Sequence, residues 1–525
     1  MLSIFISVFL SVIFLSLASC FNYCFYFDLV NLNSLSVLNY FVYLDWYTLF
    51  FFSVLFSIVF SIYSFITYYF SIEINLSRFV SLLNLFIVSM VFLVMSPGLV
   101  SLLLGWDGLG FISFLLVCWF GSSQSFSASL KTFLVNRFGD SLLLCGLTLL
   151  FFCGGFDYYY SFILFIFLAL LTKSALYPFS YWLPEAMAAP TPVSALVHSS
   201  TLVVAGLYIL FRYFFLLSYL VLFFLSCIGL LTLFYGSYQA SVTYDSKKLV
   251  AYSTLSQLGF LAFFLGLGFL DLFYHYLLVH AVFKASLFVS VGSYMVVGSH
   301  NQDVRYLSSL WFLNPIISVI FFLSIFSLSG FPFLSCFFFK ELLIGSALNI
   351  NFGLFFLFLF ISSLLLTVYY SFRLLFIFIF NKFVLINSYL NLNYSVVSSV
   401  LFSFLMLLVG VCFSFGYCFW LNVGSSFSLF TLYSLVVLLC NYGLLYFVNF
   451  NSLLLNAFCS FFSYSYIYLF SISYVFDLNV FVFGFISFIS FFYLALSRIS
   501  TQFFLLSLVY LLLFSIFVSV LVFII

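Results

Sequence analysis

The sequence predicts an all-α, polytopic membrane protein of about fifteen transmembrane helices, and three observations carry that prediction. Hydrophobic residues make up 67% of the 525 and charged residues only 5%, proportions that a soluble domain of this length does not have. The apolar runs are about 20 residues long, the reach of a helix across hydrocarbon, and are cut by Gly, Pro, Asn, Ser or charge. Within them polar and apolar residues do not alternate, which removes the membrane barrel, the other structure that satisfies its backbone in lipid.

Charge divides the chain into three zones. Residues 1–78 hold a first helix, a polar and aromatic stretch around 21–40, and a second helix from 45 to about 70. The first helix lacks a basic lead and a small-residue cleavage site, so it reads as retained rather than as a signal peptide. Residues 79–382 carry most of the charge, every His and all seven Pro. Beyond Lys382 only Asp477 and Arg498 are charged, so 383–525 read as packing helices and any transport path lies upstream.

Several chemistries are excluded. The 87 Phe and 38 Tyr are too many for an aromatic site and read as side chains facing lipid or neighbouring helices, a loading that fits a T-rich organellar coding sequence. Eleven Cys contain no Cys-x-x-Cys pair, so zinc or iron–sulfur ligation is not expected. A Gly-rich nucleotide fingerprint and a P-loop are also missing. Redox chemistry coupled to this chain must therefore occur on other chains.

What remains is a sparse series of ionisable residues in apolar surroundings: Asp107, Lys173, His198, His280, Lys284, Lys340 and Glu341. Charge in hydrocarbon is costly and marks a path for something charged. Two helices are predicted to break, one over 164–184 around Pro178 and Pro184, the other over 327–340 around Gly330 and Pro332. Each Pro removes a backbone donor and clashes with the preceding turn. Broken helices at membrane depth tend to line ion sites, and each of these carries a lysine. Asp107 sits in a Gly-rich helix that another helix can approach closely, and Lys173 is the cation expected beside it. Withdrawing that carboxylate would leave a desolvated ammonium ready to release its proton.

The segments Gly105-Trp-Asp-Gly-Leu-Gly110, Asn136-Arg-Phe-Gly-Asp140 and Trp182-Leu-Pro-Glu-Ala-Met-Ala-Ala-Pro-Thr-Pro-Val-Ser-Ala-Leu-Val-His198 resemble the NADH dehydrogenase subunit 5 family, the most distal antiporter-like subunits of respiratory complex I. So do Asp245-Ser-Lys-Lys248, His280-Ala-Val-Phe-Lys284, Asn301-Gln-Asp-Val-Arg305, Phe339-Lys-Glu341 and Tyr369-Tyr-Ser-Phe-Arg373, and the resemblance covers about 45–382. It implies two inverted five-helix repeats, placed at 79–236 and 237–382. It also implies proton translocation across the mitochondrial inner membrane, driven by electron transfer from NADH to ubiquinone. No cofactor is expected on this chain; FMN, iron–sulfur clusters, NADH and ubiquinone belong to other subunits. The implied partners are the other membrane-arm subunits, above all the neighbouring antiporter-like one, with accessory subunits and lipids such as cardiolipin, and no nucleic acid.

By resemblance, Asp107 and Lys173 form the switch, where many relatives carry Glu in place of Asp107. His198 links that switch to the central axis, and imidazole titrates close enough to neutrality to relay protons. Asp140 matches a family acid on the route, although at three residues from Arg137 it can equally form a helix-face pair. His280 and Lys284, four apart, share a helix face. Many relatives place another His four residues before His280, but here Tyr276 occupies that position and the His stands at 275. A regular helix turns His275 away from the stripe of Tyr276, His280 and Lys284, and a π-bulge would bring it back. Lys340 is the expected terminal proton-handling group, with Glu341 as its modulator or exit acid. For Asp245, Lys247 and Lys248, capping and interfacial placement stand level with function. Asp303 with Arg305 and Glu73 with Arg78 read as surface charges, and Arg373 as a residue that orients a helix.

Two departures from the family stand out. One clear helix, not two, precedes Asp45, and the tail offers only 480–500 for a lateral helix and 502–525 for a last spanning helix. Two other classes compete with the complex I reading. A stand-alone cation/proton antiporter would be expected to carry a long additional C-terminal region. A structural anchor has no need of two broken helices and isolated Lys and His.

Overall fold

The computed structural model describes residues 25–30 and 40–380, excepting 72, 74, 97, 154–158, 299, 308–314, 332–335 and 350–353, together with Leu10 and Phe14. All of these belong to one compact unit, Met1–Phe430. The second unit, Thr431–Ile525, lies outside the described residues, as do most of the first predicted helix, the packing helices expected over 383–525, the lateral helix near 480–500 and the last spanning helix at 502–525.

A membrane-spanning helical bundle follows from the apolar runs. Its helices are α1 (Trp46–Tyr69), α2 (Leu76–Met95), α3 (Leu99–Val117), α4 (Ser123–Cys153), α5 (Tyr159–Lys173), α6 (Thr191–Arg212), α7 (Tyr219–Val242), α8 (Ser246–Gly266), α9 (Leu270–Val297), α10 (Pro315–Ser329), α11 (Phe337–Asn349) and α12 (Leu354–Phe380). Among the described residues, eight helices are long and apolar enough to cross a membrane. Serines within them return their hydroxyls to the carbonyl three residues back, as Ser53, Ser57 and Ser61 do on α1, which satisfies those hydroxyls in hydrocarbon. The domain boundaries expected at 78/79 and 236/237 lie within the spans of α2 and α7.

One element departs from the all-helical expectation. Phe25–Val30 and Tyr40–Leu44 pair as an antiparallel hairpin, β1 and β2, running from Phe25 opposite Leu44 to Val30 opposite Tyr40. Their aromatic and β-branched residues suit a strand better than a helix. Directly after it, Asp45 caps α1: its carboxylate accepts from Thr48 N at 3.0 Å, and Thr48 Oγ1 accepts from Asp45 N at 3.0 Å. Arg212, the last residue of α6, grips the same carboxylate with two N–H groups at 2.5 and 2.8 Å. The start of α1 is thus tied to the end of α6.

The interior is built on α6 and α9, whose most apolar 18-residue stretches are buried throughout, while α2, α3, α7 and α12 bury only about half of theirs. The tightest pairing is α7 against α8. A Cβ on Gly229 would come within 2.5 Å of Phe263 N, and one on Gly236 within 2.7 Å of Ser256 N, so these backbones touch because glycine lets them.

Both predicted breaks are present. α5 stops at Lys173, Ala175 takes φ of 54°, and the chain crosses 174–190 in short turns before α6 begins. α10 stops at Ser329, Gly330 takes φ of 79°, and α11 starts at Phe337.

Candidate functional site

At the first break, Lys173 is fully buried. Its Nζ donates to the backbone carbonyl of Trp106 on α3 at 3.0 Å and lies 4.7 Å from the centre of the Trp106 ring. Gly110, one turn further along α3, makes room for it: a Cβ there would stand 3.4 Å from Nζ. Asp107 does not occupy the expected place beside Lys173. It is half exposed and turns to Arg137, 3.7 Å away, because successive helical residues diverge by about 100° and the face of α3 toward α5 is that of Trp106 and Gly110. Asp140 is the buried acid of this region. It accepts from Trp106 Nε1 at 2.6 Å and pairs with Arg137 at 3.2 Å. Asp140 therefore forms the helix-face pair with Arg137 that its spacing allows, and it reaches the Lys173 pocket through the Trp106 indole.

Trp182 leads from this pocket to His198. Its Nε1 donates to Thr172 O at 3.1 Å, and its ring centre lies 6.1 Å from that of the His198 imidazole. His198 is buried in a π-helical segment of α6, Ser194–Thr201. Neither ring nitrogen meets a protein partner among the described residues. Extra-wide helical turns recur at functional sites, and here the turn follows a run whose Pro190 and Pro192 bring no backbone N–H.

No such turn occurs in α9, which is regular throughout. His275 accordingly faces away from the stripe. Its Nδ1 hydrogen-bonds Asp271 O at 2.7 Å, and its ring lies 5.6 Å from Trp46 of α1. Tyr276, His280 and Lys284 are fully buried together. Tyr276 donates to Gln257 Oε1 of α8 at 2.5 Å, and Lys284 donates to Ser253 Oγ of α8 at 2.7 Å. Both nitrogens of His280 lack a protein partner among the described residues.

At the second break, Lys340 is buried and donates to Leu328 O at 2.5 Å, in the last turn of α10. A helix's last carbonyls have no intrahelical donor and carry its negative end, which suits an ammonium. His280, Lys284 and Lys340 are all buried in this half of the bundle. Glu341 follows on α11, with its side chain outside the described residues.

Lys173, Lys284 and Lys340 are thus each held by a neutral oxygen, and among the described residues none of them has a carboxylate at ion-pair distance. Such an ammonium can lose and regain its proton without breaking a salt bridge. Among the described residues no cluster of His, Cys, Asp and Glu could hold a metal ion. Sequence reasoning missed Trp106 and Trp182, although both stand in motifs it quoted, and Gln257. The available signal was a polar atom in an apolar helix that must find a partner.

Several other charges are peripheral or orient helices. Lys248 pairs with Asp245 at 3.1 Å, and Arg305 with Asp303 at 3.6 Å, at half-exposed positions. Arg373 donates to the carbonyl of Ser241 at the end of α7, a contact that orients α12 against α7.

Comparison with known proteins agrees with this geometry. Residues 96–367 match the NADH:quinone oxidoreductase/Mrp antiporter transmembrane family. NADH-ubiquinone oxidoreductase chain 5 of Locusta migratoria is 42% identical over 362 residues, 66% of this chain and 63% of the locust protein. Chain 5 of Anopheles arabiensis is 39% identical over 330 residues, 60% of this chain and 86% of that one. The chain therefore spans somewhat under two thirds of the locust relative's length. A chain in the structure of the Mrp complex from Dietzia superposes with a TM-score of 0.70 at 22% identity, covering 94% of this chain and 60% of that one, a likeness of fold. On the family match and the Anopheles relative together, the chain belongs to the NADH:quinone oxidoreductase/Mrp antiporter family of membrane proteins and, within it, to the NADH-ubiquinone oxidoreductase chain 5 group.

Proposed function

We propose that this chain is a proton-translocating subunit in the membrane arm of NADH:ubiquinone oxidoreductase, in the mitochondrial inner membrane. Protons pass along Lys173, His198, the Tyr276–His280–Lys284 stripe and Lys340, with Asp140 and Asp107 acting on the first lysine and Glu341 on the last. NADH, FMN, the iron–sulfur clusters and ubiquinone are held by other subunits, and the chain works beside the neighbouring antiporter-like subunit, accessory chains and membrane lipids. The observation that supports this most directly is the set of three buried lysines on neutral oxygens, two of them at helix breaks. An anchor would pair its buried charges, because an unpaired one costs several kcal/mol. A pump needs groups that change charge in place.

Transport against the membrane potential costs about 2.3 kcal/mol per charge per 100 mV, so the driving force has to arrive from electron transfer elsewhere in the complex. The decisive measurement is the number of protons moved per NADH oxidised by the reconstituted complex carrying Lys173→Ala or Lys340→Ala. Lower stoichiometry with continued NADH oxidation is expected, and unchanged stoichiometry in both would remove these lysines from the path. Methionine at the same positions keeps the packing and separates charge loss from cavity formation. Cation-for-proton exchange by the purified chain without NADH would support a stand-alone antiporter instead.

A further inference from the structure

Lys247 is a buried lysine outside the route just described. It begins α8 beside Lys248, but the two neighbours have opposite fates. Lys248 reaches solvent and pairs with Asp245, whereas Lys247 is buried and its Nζ donates to the backbone carbonyl of Ala189 at 3.0 Å. Ala189 is the residue between the first break and α6.

The local sequence explains why that carbonyl is free to accept. Ala189 ends the single helical turn Ala186–Ala188 and is extended, with φ −63° and ψ 158°. The donor that could close a turn back onto it is the N–H three residues on, and that residue is Pro192, which has none. The next N–H groups, of Val193 and Ser194, are both spent on Pro190 O. A buried carbonyl without a donor is costly, and the Lys247 ammonium supplies one with a full charge. On the opposite side the same segment is fastened at the surface, where Glu185 pairs with Lys131 of α4 at 2.7 Å. The link between α5 and α6 is therefore held from two sides, once in water and once in the protein interior. It leads within a few residues into the π-helical segment that carries His198.

We propose that Lys247 is a positioning residue for proton transfer: its charged contact with Ala189 holds the first break so that the π-helical segment keeps His198 in register between Lys173 and α9. The proposal rests on the proton-translocating reading above. It requires a positive donor at 247, not a titrating one, and arginine should serve in place of lysine.

The comparison uses Lys247→Met and Lys247→Arg in the intact, reconstituted complex, with Lys340→Ala alongside. Two quantities are read: protons moved per NADH, and hydrogen exchange of the backbone over Thr191–Thr201. Losing a charged donor from a buried acceptor shifts a local equilibrium by about tenfold or more. Lys247→Met should therefore raise exchange across Thr191–Thr201 by that order and lower the proton yield, while Lys247→Arg keeps at least half the yield and near-normal exchange. Normal exchange in Lys247→Met, or a loss in Lys247→Arg equal to that in Lys247→Met, overturns the proposal. If the methionine variant does not assemble, Lys247→Gln, which is one atom shorter and offers a neutral donor in place of a charged one, carries the same comparison. Full pumping by Lys340→Ala would instead sink the proton-route reading itself, while the exchange measurement would still report whether Lys247 holds the break.

Discussion

The two helix breaks pose the same problem, a lysine in hydrocarbon, and solve it with different surroundings. At the first, Lys173 sits on the Trp106 carbonyl with a buried acid, Asp140, one residue away through the Trp106 indole, and with Arg137 and Asp107 beyond it. At the second, Lys340 has the last-turn carbonyl of Leu328 and, among the described residues, no carboxylate at ion-pair distance, while His280 and Lys284 are buried on α9. If this difference steers protons, the first break favours a charged lysine through attraction and the second resists one through repulsion among its basic groups.

The largest expected effect comes from removing that difference at its source. Asp140→Asn keeps the shape and the Trp106 hydrogen bond but takes away the buried negative charge. Breaking a buried charge interaction from one side costs about 3–5 kcal/mol, so the proton yield per NADH should fall at least tenfold. Asp107→Asn acts on a half-exposed carboxylate whose pair with Arg137 is long, and should cost well under half as much. Equal losses in the two variants would mean that Asp107 controls the lysine after all, through a rearrangement that brings it inward.

A smaller effect is expected at the second group. Ser253→Ala deprives Lys284 of the hydroxyl that accepts its hydrogen bond, at a cost of about 1.5–3 kcal/mol for a hydrogen bond to a charged group. The lost contact favours the neutral amine, so pumping should slow several-fold, and more steeply as pH rises. A pH-independent loss would assign Ser253 to packing.

How much of this was legible beforehand follows from which physics each feature obeys. The breaks were readable because Pro178, Pro332 and Gly330 act locally on the chain, through missing donors and backbone angles. The stripe of Tyr276, His280 and Lys284 was readable because a regular helix has one period. The partners were not. Asp107 and Asp140 are both acids in quoted motifs, and only the packing of α4 against α3 and α5 decides which carboxylate turns inward. The hairpin at Phe25–Val30 and Tyr40–Leu44 was hidden by the same aromatic richness that marks the whole chain. Lys247 and Lys248 are identical in sequence terms and separate only when α8 meets the first break.

The smallest effect, and the sharpest for the second group, concerns Tyr276, where many members of the family are expected to carry His. Its hydroxyl donates to Gln257, so the polar atom it adds to the stripe is already engaged with α8. Tyr276→Phe removes a neutral hydrogen bond worth about 1 kcal/mol and leaves Gln257 Oε1 without that donor. Pumping should fall no more than about fivefold. Tyr276→His restores a group that titrates near neutrality on the face of His280 and Lys284, but it adds a third site for positive charge to a group already under repulsion. If repulsion sets discharge there, Tyr276→His should pump as well as the parent at pH 8, where imidazole is neutral, and worse at pH 6, where it is charged. Equal pumping at both pH values would show that the second group is not governed by repulsion, and the contrast between the two breaks would reduce to the presence or absence of Asp140.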